Sequence, residues 1–192
     1  MSPTPSLTPP LTLARVGTVL HASGMVTEAE LRGTLAAAAG YADEPLNPYG
    51  TARALEEFGA AVSVHGDDID SLGEGYAELL ARAARVAGGS VAITGVRLVR
   101  GEAGFADGRA DVVEFDRDGV RVSVPAEHFA DDYLDHIAAC EAVARTVHRD
   151  DPRTWRSVDF PRDPHATYDS IMVLATPDQA ESLRARLGLR IG

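Results

Sequence analysis

Apolar positions recur with a helical period in the first third of the chain and with a period of two beyond it. Leu13, Val16, Val19 and Leu20 repeat at helical spacing until Gly24 interrupts them. Thr27 and Glu30 form a capping box, and Leu31, Leu35 and Ala38 line one face of the helix it opens, with Gly40 at its end. A turn-rich stretch over residues 41–50 leads to a short helix over 51–58. Residues 11–59 therefore predict a helical layer.

From Ala60 the alternation is that of strands. Val62 and Val64 oppose Ala61, Ser63 and His65. A helix follows, with Leu72, Tyr76, Leu79, Leu80, Ala83 and Val86 as its apolar stripe, ended by Gly88 and Gly89. Residues 90–100, 110–117 and 120–124 predict three strands. Gly95 marks a bulge in the first, and Asp118-Gly119 is a hairpin turn between the other two. Pro125 closes this meander, and a long helix is expected over 126–148. Residues 155–160 and 168–175 read as two further strands, the second with the unbroken apolar run of a doubly covered one. Thr176, Pro177 and Gln179 start a last helix that Gly188 caps. Clustered strands joined by hairpins predict the α+β class: an antiparallel or mixed sheet of five to six strands covered by helices. Residues 1–10, with four prolines, read as a flexible tail before a single domain over 11–192.

Composition changes this picture in three respects. All 18 basic residues are arginine. Without lysine, Schiff-base chemistry on pyridoxal phosphate and P-loop nucleotide chemistry are excluded, and no cofactor is expected. The net charge is −11, and residues 61–160 alone carry 19 acids against 11 arginines. A phosphate backbone would be repelled, so a nucleic-acid partner is not expected, whereas a basic protein surface would be attracted. No apolar run approaches the ~18 residues of a membrane span, and the N-terminus lacks the basic and apolar regions of a secretory signal. With Cys140 the one cysteine, these features lead to the expectation of a cytoplasmic protein without a membrane partner.

The densest candidate chemistry lies in the stretch 127–136. On the expected long helix, Phe129, Tyr133, Ile137, Cys140, Ala144 and Val147 would form the buried face. His128, Asp132 and His136 would run along its edge in a strip about 80° wide. Such a ladder offers imidazole and carboxylate to a divalent metal. Its ends would lie about 12 Å apart, so an ion would use a pair plus a ligand from elsewhere. Placed in one cleft with His65, the same residues would supply acid–base groups to an enzyme. Asp67 or Asp68 would cap the helix that follows them. Asp116 and Asp118 form a D-x-D-G string without a properly placed downstream Glu, so the turn reading wins over a calcium loop. No G-x-S-x-G or strand-linked G-x-G-x-x-G is present. Residues 148–165 are rich in charge and contain Trp155, a side chain favoured at binding hot spots.

Two functions follow as expectations. The first is a non-enzymatic acidic domain that binds a protein partner, in the manner of an immunity or antitoxin-like inhibitor of a basic effector. Glu127, Asp131, Asp132, Asp135 and Trp155 would make the contact. The second is a cofactor-independent or divalent-metal-dependent enzyme acting on a small molecule through His65, His128, Asp132 and His136.

Overall fold

Side-chain caps begin the helices close to where the sequence places them. In the computed structural model, which describes residues 10–66, 69–161 and 170–192, Thr12 caps α1 (Leu13–Ala22) and the Thr27–Glu30 box caps α2 (Glu28–Ala37). Asn47 caps α3 (Pro48–Glu57), whose first turn starts at Pro48 rather than Thr51 because proline suits that position. Ser71, not an aspartate, caps α4 (Leu72–Val86). Asp67 and Asp68 lie outside the described residues, as do the N-terminal nine residues, Arg162, Asp163, His165 and Tyr168. The last helix, α6 (Pro177–Leu187), has the expected Thr176–Gln179 box and ends on Gly188 in the left-handed conformation.

The strands divide into two antiparallel sheets rather than one of five or six strands. The first contains β1 (Ala61–Val64), β5 (Thr154–Asp159), β6 (Ser170–Ala175) and β7 (Arg190–Ile191), in the order β1-β6-β5-β7. The second contains β2 (Ile93–Val99), β3 (Arg109–Arg117) and β4 (Val120–His128), in that order. Asp118 and Gly119 both take positive φ, the twist-matched hairpin turn their sequence predicts. Gly95 sits at positive φ where the β2–β3 register slips, as a bulge requires.

Two cores explain the division. On one face of the four-stranded sheet, Leu13, Val16 and Leu20 of α1, Leu55 of α3 and Leu183 of α6 pack on Ile171 and Val173. Gly17 admits this packing, since a Cβ there would lie 2.4 Å from the Phe58 ring and 2.6 Å from Leu31. On the other face, Val62, Val64 and Met172 meet the stripe of α4 and the small residues Ala138, Ala139 and Ala142 of α5 (His136–Ala144). Val113, Phe115, Val122 and Val124 of the three-stranded sheet join the same core, with α4 in contact with β2 and α5 with β4. Both helices are thus held between the sheets, and β2–β4 bury their apolar face on helices instead of extending the other sheet. Among the described residues no helix is long and apolar enough to cross a membrane.

The long helix expected over 126–148 does not form. Strand β4 runs through Pro125 to His128, with burial alternating at every residue from Arg121 to His128. Proline is tolerated because β4 is an edge strand, where one row of backbone N–H groups has no ladder partner. Residues 129–135 form a loop, and the helix begins only after Asp135, whose carboxylate accepts from the N–H groups of Ile137 and Ala138.

Candidate functional site

The inward face of the three-stranded sheet turns polar at one end. Residues of the same parity as Val113 and Phe115 include Asp111 and Arg109. Those of the same parity as Val122 and Val124 include Ala126 and His128. The register sets Arg109 opposite His128 and Asp111 opposite Ala126. All three polar side chains are buried beneath α4, where Tyr76 reaches them.

They form one hydrogen-bonded chain. Arg109 donates to both carboxylate oxygens of Asp111 at 2.8–3.0 Å, and the Gly101 N–H adds a bond of 2.8 Å. The Nδ1 of His128 lies 2.9 Å from Asp111 Oδ2, and its Nε2 lies 3.0 Å from the Tyr76 hydroxyl. The Phe105 ring covers the Arg109 guanidinium at 4.2 Å. Burial by itself would raise the Asp111 carboxyl, but Arg109, the Gly101 N–H and His128 more than offset it, so its pKa is lowered. Tyr76 is pushed up, first by burial and then by the charges of Asp135 and Asp111, with the Asp135 backbone N–H at its oxygen acting the other way. The phenol therefore keeps its hydrogen. Because the Asp111 carboxylate can only accept, the hydrogen between it and the imidazole sits on Nδ1. An Asp–His–Tyr relay of this kind resembles acid–base machinery in composition. Here His128 is 1% exposed and both its nitrogens are engaged within the protein, so it serves as a scaffold.

The scaffold supports the loop over residues 129–135. His128, held by the Tyr76 hydroxyl, is its first foot and Asp135 its second. The Asp135 carboxylate accepts from the Glu127 N–H at 2.9 Å, drawing the ends together. Leu134 is buried, and its N–H donates to the Gly66 carbonyl at 2.7 Å. Tyr133 lies against Gly66, where an added Cβ would come within 3.1 Å of the ring. From this anchored loop and the start of α5, Phe129, Tyr133 and Ile137 project 64%, 43% and 79% exposed. On the expected helix these three formed the buried face, and the structure reverses that assignment.

The acids expected to meet a partner take different roles. Glu127 and Asp132 are exposed and make no ion pair among the described residues. Asp131 is exposed but lies 3.7 Å from both Arg100 and Arg109, so the acidic stretch is partly neutralised by arginines distant in sequence. Asp135 is a helix cap and loop clasp. Trp155 is half-buried in β5, and its indole N–H donates to Thr146 at 3.0 Å.

The acid–base set does not assemble as the helical ladder required. His136 begins α5 and meets Ser170 at 2.7 Å, with Cys140 Sγ 3.8 Å from the same Nε2. Cys140 is half-buried against the inter-sheet core. His65 lies on the opposite side of the four-stranded sheet, 3.4 Å from Arg53, which also donates to Ser63. Among the described residues no three His, Cys, Asp or Glu side chains converge as a metal site would need. The group around His65 has another purpose. Glu56 accepts from the Ser63 N–H at 3.0 Å and Arg82 donates to the Ser63 carbonyl at 3.2 Å, so side chains satisfy the outer edge of β1.

Arg109, Asp111 and Tyr76 are the site residues that sequence reasoning missed. The signal was present: in a strand that buries Val113 and Phe115, Asp111 and Arg109 share the inward parity, and a charge on an apolar face needs a buried partner. That partner was concealed because His128 was assigned to a helix. No family model, curated protein or solved structure matches the chain, so its function is to be read from these contacts.

Proposed function

We propose that this chain is a non-enzymatic domain that binds a protein partner in the cytoplasm, and that it docks through residues 127–137. The observation that carries the reading is the exposure of Phe129 and Tyr133 on a loop whose backbone is tied at both feet, and of Ile137 in the helix that follows it. Large apolar side chains held in water mark interaction sites, and aromatic anchors dominate binding energies. A loop already ordered also loses little conformational freedom on binding. Glu127 and Asp132, exposed and in no ion pair among the described residues, add negative charge to the same stretch, while Asp131 is shared with Arg100 and Arg109. The fitting partner therefore presents apolar residues among Arg and Lys, as a basic effector neutralised by an immunity or antitoxin-like inhibitor would. The net charge of −11 acts in the same direction over longer range. The reading requires no cofactor and no nucleic acid.

The test compares two baits in lysate of the source organism, the wild type and the Phe129→Ser, Ile137→Ser double variant. A protein retained by the first and lost by the second is expected, with equal melting temperatures because both side chains are exposed. Association with that protein should slow as salt rises. Reversing Glu127 and Asp132 to Arg together should slow it by roughly tenfold, about 1.4 kcal/mol. Identical proteins on both baits, or kinetics indifferent to salt and charge reversal, would refute the proposal.

A further inference from the structure

We infer that the outer edge of β2 is a second interaction surface, which takes up an extended segment of another protein as an added strand, with apolar residues at alternate positions and carboxylates between them. The surface is separate from residues 127–137 and does not depend on the docking proposed there.

The two sheets have four edges among the described residues, and three of them carry a block to pairing. Glu56 and Arg82 satisfy Ser63 on β1. Strand β7 has two residues, and its Ile191 carbonyl accepts from Arg184 at 2.6 Å. On β4, Pro125 has no N–H, and the Glu127 N–H is taken by Asp135. Strand β2 differs. It has seven residues and no proline, and among the described residues no side chain bonds to its backbone. A row of open N–H and C=O groups is a template for another strand.

The ladder fixes where these groups point. Both backbone groups of Ala92, just before β2, bond to Asp118, so Ala92 faces β3 and Ile93 faces away. At the other end the Glu127 N–H points away from β3, and Pro125 and Ser123 do likewise. Their partners Val112 and Glu114 therefore turn their backbone groups to β2. There they meet Val99 and Arg97, which leaves the N–H and C=O of Leu98 facing outward. The Gly95 bulge interrupts the edge between Ile93 and Leu98, so pairing centres on Leu98.

The side chains along this edge set what the added strand must carry. Val96 and Leu98 are half-buried at the margin of the core between the sheets, and apolar residues on the same face of a new strand would complete their cover. Beside them Arg97 and Arg100 are exposed, and residues 90–100 hold these two arginines and no acid in a chain of net charge −11. Arg97 uses Nε and Nη2 on Glu114, a carboxylate it shares with Arg121, and Arg100 approaches Asp131 only to 3.7 Å. Both retain donors for a carboxylate, and opposite charges on neighbouring strands favour pairing. A second copy fits less well, since it would set two arginine-bearing strands and two molecules of charge −11 against each other.

The probe is an end-blocked synthetic peptide as long as β2 that alternates valine and glutamate, added to the full ¹⁵N-labelled chain. In the free chain the Leu98 amide should exchange quickly with solvent. The peptide, at up to about 1 mM, should slow that exchange by roughly tenfold and leave the amides of Phe129 and Tyr133 unmoved. A peptide with the same side chains but N-methylated valines is expected to do nothing. One with lysine in place of glutamate should bind about tenfold more weakly, against the sign of the chain's net charge. Leu98→Pro removes the outward N–H and keeps the ladder to β3, so it should lose the response. If it does not fold, the contrast between plain and N-methylated peptides on the wild type decides the matter. The inference is overturned by a Leu98 amide already protected without peptide, or by protection that rises with chain concentration as pairing with a second copy would produce. It is overturned equally by an amide that the peptide leaves unchanged, by equal responses to plain and N-methylated peptides, or by shifts at Phe129 and Tyr133 in place of β2. No arm relies on residues 127–137, so failure here is distinct from failure of the docking reading.

Discussion

Asp111 is where one side chain bears most on the rest of the molecule. Its carboxylate neutralises buried Arg109 and orients His128. Substitution Asp111→Asn leaves the buried guanidinium with only exposed Asp131 at 3.7 Å, and the expected loss is about 3–5 kcal/mol by urea denaturation near neutral pH. The pH dependence has a definite sign. Because the folded pKa of Asp111 is lowered, its contribution is present above the unfolded value of about 3.9 and lost as pH falls through the folded value. Denaturation repeated towards about pH 3 should therefore show a decline that is shallower in Asp111→Asn than in the wild type. Equal slopes would show that this carboxyl has the same affinity for protons folded and unfolded. The sequence made Asp111 visible as a polar residue of inward parity. It did not reveal that Tyr76, one member of an otherwise apolar stripe, supplies the end of the chain.

At the scale of elements, β6 is flanked by β1 and β5 and covered on both faces, as its unbroken apolar run predicts. Ile171 and Val173 are fully buried, and truncating either to Ala should cost roughly 2–4 kcal/mol in urea denaturation. The β1 edge leads to a different prediction. Glu56→Ala removes the acceptor of the Ser63 N–H, with an expected cost of about 1–3 kcal/mol for the group left unsatisfied. It also opens an edge to strand pairing, so sedimentation should detect self-association that the wild type lacks. Element existence was legible because periods of two and 3.6 are properties of local sequence. The boundary at His128 was not: Glu127 to His136 suits a helix by composition, and the alternation through Pro125 becomes decisive only once β4 is known to be an edge strand.

For the whole molecule, the placement of α4 and α5 between the two sheets carries the main consequence. Each helix contributes to the core that joins Val62 and Met172 on one side to Phe115 and Val124 on the other. Neither sheet can be exposed without uncovering these helices, so heat or urea should unfold the chain in a single transition. Near- and far-ultraviolet circular dichroism are expected to coincide, and two separated transitions would show that the sheets unfold independently. Charge at this scale also differs from its linear reading. The acids of 127–135 have no arginine near them in sequence, yet Arg100 and Arg109 approach Asp131 from strand ends that the fold brings across.

By itself the sequence determined most of the succession of helices and strands, the caps at Thr27 and Thr176, the turn at Asp118-Gly119 and the alternation of Val120–Val124. These depend on backbone preferences and on spacing between residues a few positions apart, and local sequence contains both. Only the tertiary structure decided that the strands divide into two sheets, that Phe129, Tyr133 and Ile137 face water, and that Tyr76, Arg109, Asp111 and His128 form one buried chain. Those outcomes depend on which apolar faces cover one another across the core. Alternation states which side of a strand is buried, while the surface that buries it is chosen by packing among residues distant in the chain.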